Sequence, residues 1–568
     1  MRHPLSAMAA LCFTLAPVVL LAPMAQAATD EPVVSATVQQ TARVIVQYKT
    51  GSSVMRALSA TETSGTLAIP RHAAVLSSRL GISMADGQPT GRRSQVLIAQ
   101  GMTSEQLAAL LSKDADVEFA EPDRTRRIHS VPNDPLYADF QSTATPTVGQ
   151  WYLRAPTATT VSAINAETAW NTTTGSSSVV VAVLDTGIRL DHPDLVGKTL
   201  PGYDFISDPQ HSNDGDGRDA DASDPGDWVT SSEVNDAAST FYHCTDPNPS
   251  TGQYSGEDSS WHGTQLAGLI GAATNNGIGM ASVGRNVMIL PVRVLGKCNG
   301  RDSDIQAAMR WAAGIAVPGV PNNPYPARVV NLSLGGSGSC GSAYQTVVDE
   351  LISMGVTVVA SAGNDGGAVA APANCAGVIA VAGVRHAGTK VAYSSLGPEV
   401  AISAPAGNCE TATGACLHPL LTTTNSGTTT PAASVYSDSF NVSLGTSFSA
   451  PLVAGTVGLM LSVNPNLTTT QVRSALQHSA RPFPTSSPNT STLCQPPSST
   501  SRSPECVCTT TTCGAGLLDT AGAVSVAVNT PPPSDGGAGG GAMSFGWLTA
   551  LLAAVIALYG GRRHRVCL

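Results

Sequence analysis

The chain is poor in charge: Asp, Glu, Lys and Arg make up only 12% of its 568 residues, against about 25% in ordinary soluble domains. Basic residues are scarcest in the longest part. Residues 131–530 carry 15 Lys and Arg against 29 Asp and Glu, whereas residues 28–130 carry 11 against 10. An acidic body repels phosphate backbones, which argues against nucleic acid as a partner and suits cation binding or simple solubility. Paired Cys-Xaa-Xaa-Cys knuckles are also lacking, so disulfides are favoured over zinc at Cys494, Cys506, Cys508 and Cys513.

The two ends read as export segments. Met1-Arg2-His3 is a small positive end, residues 9–21 are an apolar core and Ala25-Gln26-Ala27 is a small-residue cleavage site. That is the pattern of a secretory signal peptide over residues 1–27, and it places the rest where cysteines oxidise. With Cys12 and Cys567 set aside, ten cysteines remain, and five disulfides are expected. We pair Cys244 with Cys298, Cys340 with Cys375 and Cys409 with Cys416, leaving Cys494, Cys506, Cys508 and Cys513 unassigned. At the far end, residues 531–541 form a Pro/Gly linker that cannot pack. Residues 542–559 are just long enough to span a bilayer, and Arg562-Arg563-His564-Arg565 follows as a positive, cytoplasmic-side end.

Between the ends, residues 28–130 read as a small α/β module, with strand patterns over 43–48 and 94–98, amphipathic helices over 71–80 and 103–111, and an extended piece over 117–123. They run into the easily cut Arg124-Thr125-Arg126-Arg127. The body, residues 131–530, alternates buried-strand runs (179–184, 287–295, 329–334, 356–360, 378–381) with helical patterns (303–313, 342–354, 469–479). Such alternation predicts an α/β domain on a mainly parallel sheet, with its site at the strand ends.

Four motifs fall at such ends. Asp185-Thr186-Gly187 closes the first buried strand, and Trp261-His262-Gly263-Thr264 opens a small and apolar run. Ser361-Ala362-Gly363-Asn364 closes another strand, and Gly445-Thr446-Ser447-Phe448-Ser449-Ala450-Pro451 opens a buried apolar helix. Taken singly, each has a plainer use as a cap or turn. Together they supply a hydroxyl, an imidazole to relay its proton, a buried carboxylate to fix the tautomer, and an amide donor beside a helix start.

The order Asp185, His262, Asn364, Ser447, each in its own motif, resembles the subtilisin-like serine peptidases. The resemblance implies a subtilisin-like three-layer fold preceded by a small α/β pro-domain. It implies Ser447 as nucleophile, His262 as general base and then acid, Asp185 as its orienter, and Asn364 with the Ser447 N–H as oxyanion hole. Residues 329–336 look like the family's substrate-binding edge strand. Ser333, Leu334, Gly335 and Gly336, with Ala360, Ser361, Ala362 and Gly363, are expected to wall the pocket with mostly small residues, leaving it roomy enough for large apolar or other extended side chains. Protein and peptide chains are the implied substrates. The resemblance makes residues 28–130 an inhibitor and chaperone removed by the enzyme itself. The glycine run, apolar span and arginine cluster over 531–568 resemble the Gly-Gly sorting signals of Gram-negative bacteria, which engage the export machinery and an intramembrane protease; a permanent anchor is the alternative. Two positions depart from the family pattern: Gln265 stands where a second histidine is usual, and Phe448 replaces a methionine.

Asp214, Asp216, Asp219, Asp221, Asp224 and Asp227 stand on glycine-rich turns. Calcium suits such clusters, and the family resemblance implies it here and at Asp194 with the Asn276 turn; a solvated acidic loop is the plainer reading. Two other functions remain open. A silenced peptidase scaffold could serve as a binding module, although all four motif residues are intact. An esterase could use the same acyl chemistry, although the Ser447 stretch lacks a Gly-Xaa-Ser-Xaa-Gly elbow.

Overall fold

The computed structural model describes residues 41–53, 72–124, 131–138, 149–248, 250–407, 418–437, 444–487, 490–497 and 504–532. The proposed signal peptide, the Arg124–Arg127 cut beyond Arg124, the apolar span and the Cys409–Cys416 pair lie outside them. The chain divides into two compact units, to Ile128 and from His129.

The first unit is a four-stranded antiparallel sheet in the order β2-β3-β1-β4, comprising β1 (Thr41–Tyr48), β2 (Met84–Gly91), β3 (Ser94–Gln100) and β4 (Val117–Pro122), with helices α1 (Ala73–Leu80) and α2 (Ser104–Leu111). Val44, Val46 and Leu97 alternate inward and meet Leu76, Leu107 and Leu111 in a core of its own. Thr103 and Gln106 start α2 with a reciprocal capping box. No strand pattern marks β2, because Gly87 and Pro89 interrupt it. It survives as an edge strand with two register shifts, the one place in a sheet where proline is tolerated.

The second unit is built on a seven-stranded sheet in the order β11-β10-β9-β8-β5-β7-β6, every pairing parallel. Its strands are β5 (Val180–Asp185), β6 (Tyr203–Asp204), β7 (Met288–Arg293), β8 (Val329–Leu332), β9 (Thr357–Ser361), β10 (Ile379–Val384) and β11 (Val400–Pro405); β12 (Thr422–Asn425) and β13 (Ser434–Ser437) form a separate hairpin. Its longer helices are α3 (His262–Gly271), α4 (Asp302–Ala312), α5 (Ser342–Ser353), α6 (Thr446–Val463), α7 (Thr469–Ser479) and α8 (Thr520–Asn529). Along β5, Val181 and Val183 enter the core shared with α3, α6 and α8, while Val180, Ala182 and Leu184 enter the opposite core with α4 and α5. Two apolar faces on one sheet make the three layers.

Among the described residues one helix, α6, is long and apolar enough to cross a bilayer, and it is buried in the first core. Disulfides join Cys244 to Cys298 and Cys340 to Cys375, as paired above, and Cys494 to Cys506 and Cys508 to Cys513. The last two leave no thiolate there to hold zinc.

Candidate active site

Asp185 is fully buried at the carboxyl end of β5, where its backbone oxygen accepts from Val294 and Leu295 N–H. Its carboxylate accepts from Thr186 N–H and faces His262, whose Nδ1 lies 2.8 and 3.0 Å from the two oxygens. Gly263 makes this approach possible: a Cβ there would stand 2.2 Å from the Gly187 carbonyl oxygen. Burial alone would disfavour the imidazolium. Asp185, with Asp227 and Asp224 behind it, outweighs that and raises the His262 pKa above the usual imidazole value. Phe448 sets its ring edge-on to His262, with centroids 5.8 Å apart, so the replacement of methionine acts through packing.

Ser447 lies in the first turn of α6. Pro451, inside the helix, has no N–H to give the Ser447 carbonyl four residues back; that oxygen accepts instead from Ser333 Oγ at 2.7 Å. The Ser447 hydroxyl in turn donates to the Ser333 carbonyl at 3.2 Å rather than to His262. Asn364 is held by its oxygen: Oδ1 accepts from both Thr446 N–H and Thr446 Oγ, each at 2.9 Å. This leaves Nδ2 over Gly445, where an added Cβ would meet it at 3.2 Å and the Ser447 nitrogen at 3.6 Å. Gly445 also holds φ +141°, which favours glycine.

His262, Asn364 and Ser447 line one cleft of about 1220 Å³ with Ser333, Leu334, Gly335, Gly336, Ser361 and Gly363. Two expected wall residues do not reach it. Ala360 and Ala362 are fully buried in the core beneath, because side chains alternate along β9 and its continuation. The edge-strand expectation is corrected as well: β8 is paired on both sides, with β5 and β9. Only the stretch past its end, from Ser333, is outside the sheet, and there Gly336 bridges to Ala371.

The acidic turns split. Asp214 pairs with buried Arg293 at 2.6 Å, and Arg293 also binds Asp204. Asp219 and Asp221 accept the backbone N–H two residues on, and Asp216 offers its backbone oxygen to Ser212. Asp224 accepts from Thr186 Oγ1, and Asp227 from Ser260 N–H and Oγ. Five of the six carboxylates therefore serve separate donors, and among the described residues the six form no common cluster of ligand oxygens. Asp194 is different. It is fully buried and receives Asn276 Nδ2, Met280 N–H and Tyr436 OH, while buried Asp134 receives the N–H groups of Asn275 and Asn276. Burial raises both carboxyl pKa values, and the Asp194 charge raises that of Asp134 further. Among the described residues neither is in an ion pair. Two buried acids flanking the Asn276 turn fit a hard cation. Asp134 and Thr446 went unread in the sequence, since a lone Asn-Asp-Pro and a threonine beside the serine carry no signal of their own.

Comparison with known proteins agrees with this architecture. Residues 176–516 match the subtilase family. The chain is 38% identical over 501 residues to an extracellular protease of Xanthomonas campestris pv. campestris, covering 87% of this chain and 74% of that protein. It is 34% identical over 426 residues to an extracellular basic protease of Dichelobacter nodosus, covering 74% of this chain and 62% of that one. A solved protease structure from Pseudoalteromonas arctica superposes with a TM-score of 0.57 at 40% identity, over 70% of this chain and all of that one. The chain belongs to the subtilase family of serine-type endopeptidases.

Proposed function

We propose that this endopeptidase is exported and hydrolyses peptide bonds through an acyl-enzyme on Ser447. The Ser447 oxygen attacks the scissile carbonyl carbon while its proton passes to His262 Nε2; Asp185 holds the Nδ1–H and stabilises the imidazolium. The oxyanion is met by Asn364 Nδ2 and the Ser447 N–H. Breaking of the C–N bond takes the proton from His262 to the leaving amine, and a water activated by the same imidazole releases the acid. An extended substrate runs along the backbone from Ser333 to Gly336, and the small residues at 335, 336 and 363 leave room for a large apolar side chain. The observation that carries this reading is the 2.8 Å contact between His262 and buried Asp185, in a cleft shared with Ser447 and the side-chain amide of Asn364.

Residues 28–130 act as a removable inhibitor and chaperone, since the part from Thr41 has a core of its own and leads into a run of arginines. Residues 1–27 direct export, and residues 531–568 are a sorting segment removed at the membrane. Asp134, Asp194 and Asn276 would hold calcium, whose charge would offset two buried carboxylates; chelation should then lower the melting temperature of the wild type and have no effect on Asp194→Asn. Intact mass and amino-terminal sequencing of the secreted wild type beside Ser447→Ala test the processing. The wild type should lose residues 28 to about 130 while Ser447→Ala retains them; identical trimming of both would mean that another protease cuts the chain.

A further inference from the structure

Two acids of the Asp224–Asp227 turn reach opposite members of the Asp185–His262 pair. Asp224 is fully buried, and Arg189 reaches only its backbone oxygen, at 2.9 Å, so that among the described residues no cationic side chain pairs with its carboxylate. One oxygen accepts from Thr186 Oγ1 at 2.7 Å, and Thr186 Oγ1 itself accepts from Gly263 N–H at 3.1 Å. That hydroxyl therefore ties the residue after Asp185 to the residue after His262. Asp227 spends both oxygens on Ser260, accepting its N–H and its hydroxyl, each at 2.7 Å. Ser260 Oγ then accepts from His262 N–H at 3.3 Å. Between them Trp261 is held at φ +52°, a left-handed conformation that a bulky residue adopts only where its surroundings impose it. Gln265, one turn along α3, donates to the Ser260 carbonyl at 3.0 Å from the other side. A loop that served only to present charge to water would not bury one carboxylate and commit both oxygens of the other to a single serine.

We propose that Asp224 and Asp227 are positioning residues for the Asp185–His262 pair, acting through Thr186 and Ser260. The inference rests on the roles proposed above for Asp185, His262 and Ser447. Asp227 fixes the start of α3, and with it the direction in which the imidazole leaves the backbone; Asp224 fixes the turn that carries the orienting carboxylate. Neither touches substrate. Their effect belongs to turnover, because a misplaced imidazole costs proton transfer without costing peptide binding.

The test is a double-mutant cycle on the mature enzyme with one peptide substrate. Asp227→Ala and Ser260→Ala should each lower kcat about tenfold to a hundredfold with KM within about twofold. The double variant should be no slower than the worse single, as for two residues acting through one link. Asp227→Asn, which keeps an oxygen for the Ser260 N–H, should recover most of the loss. If Asp227→Ala does not fold, Ser260→Ala carries the test, since it leaves the acidic turn intact. Wild-type kcat in Ser260→Ala, or losses that multiply in the double variant, would overturn the proposal. Ser447→Ala, freed of residues 28–130 by an added protease that is then removed, separates the two failures in the same assay. If it is inactive while Ser260→Ala keeps full kcat, the positioning role alone fails; if it remains active, the catalytic reading fails and takes this proposal with it.

Discussion

Asp185 and His262 sit among charges, whereas Ser447 and Asn364 sit among hydroxyls, amides and an apolar helix. Behind the first pair lie Asp224, Asp227 and the buried Arg293, whose Nε donates to the Thr186 carbonyl. Behind the second lie Thr446, Ser333 and α6, and no charged side chain hydrogen-bonds to Ser447, Thr446 or Asn364 among the described residues. The division follows the charges of the reaction. An imidazole that must hold a proton gains from negative neighbours, even at the desolvation cost of burying them. An oxyanion gains from fixed neutral donors and loses from any nearby carboxylate. Each half of the cleft is framed by groups suited to the charge it must carry.

The largest effect that would sharpen this comparison is expected on the neutral side. Asn364→Leu removes one oxyanion donor and should lower kcat about a hundredfold to a thousandfold, the range found for such a donor in subtilases, with KM nearly unchanged; an equal rise in KM would mean that Asn364 binds ground-state substrate instead. Thr446→Val deletes one of the two bonds that hold Asn364 Oδ1, and a single hydrogen bond of about 1–1.5 kcal/mol translates into about a tenfold loss of kcat, while Thr446→Ser should retain activity. On the charged side, the raised pKa of His262 should place the acidic limb of kcat/KM above about pH 6.5, because the base must be neutral to act. Asp227→Asn removes one of the charges that raises it and should move that limb to lower pH. An unmoved limb would break the contrast between the halves.

Much of this was legible because catalysis needs particular residue types at strand ends and helix starts. Asp185, His262, Asn364 and Ser447 announce themselves by the apolar runs they close or open, and β5, β8 and β9 lie within a residue or two of the predicted strands. What escaped has physical reasons. β11 is rich in small residues and ends in proline, and α8, with its alternating valines, has the local preference of a strand but is made helical by Asp519 capping and by packing on α6. The acidic turns show the opposite limit. Their spacing suited a cation, but Asp214 pairs with Arg293, far along the chain and brought beside it only by the fold. Ala360 was assigned to the cleft from its neighbours, while the alternation of β9 turns it into the core.

The measurement that bears most directly on the central claim is stoichiometric labelling with a sulfonyl or phosphonyl fluoride, mapped by peptide mass spectrometry, on wild type beside His262→Ala. The account predicts one adduct per active chain, on Ser447, with hydrolysis lost in step with labelling and labelling strongly slowed in His262→Ala. Full hydrolysis after Ser447 is modified, or an adduct on another residue that tracks the loss of activity, would contradict it.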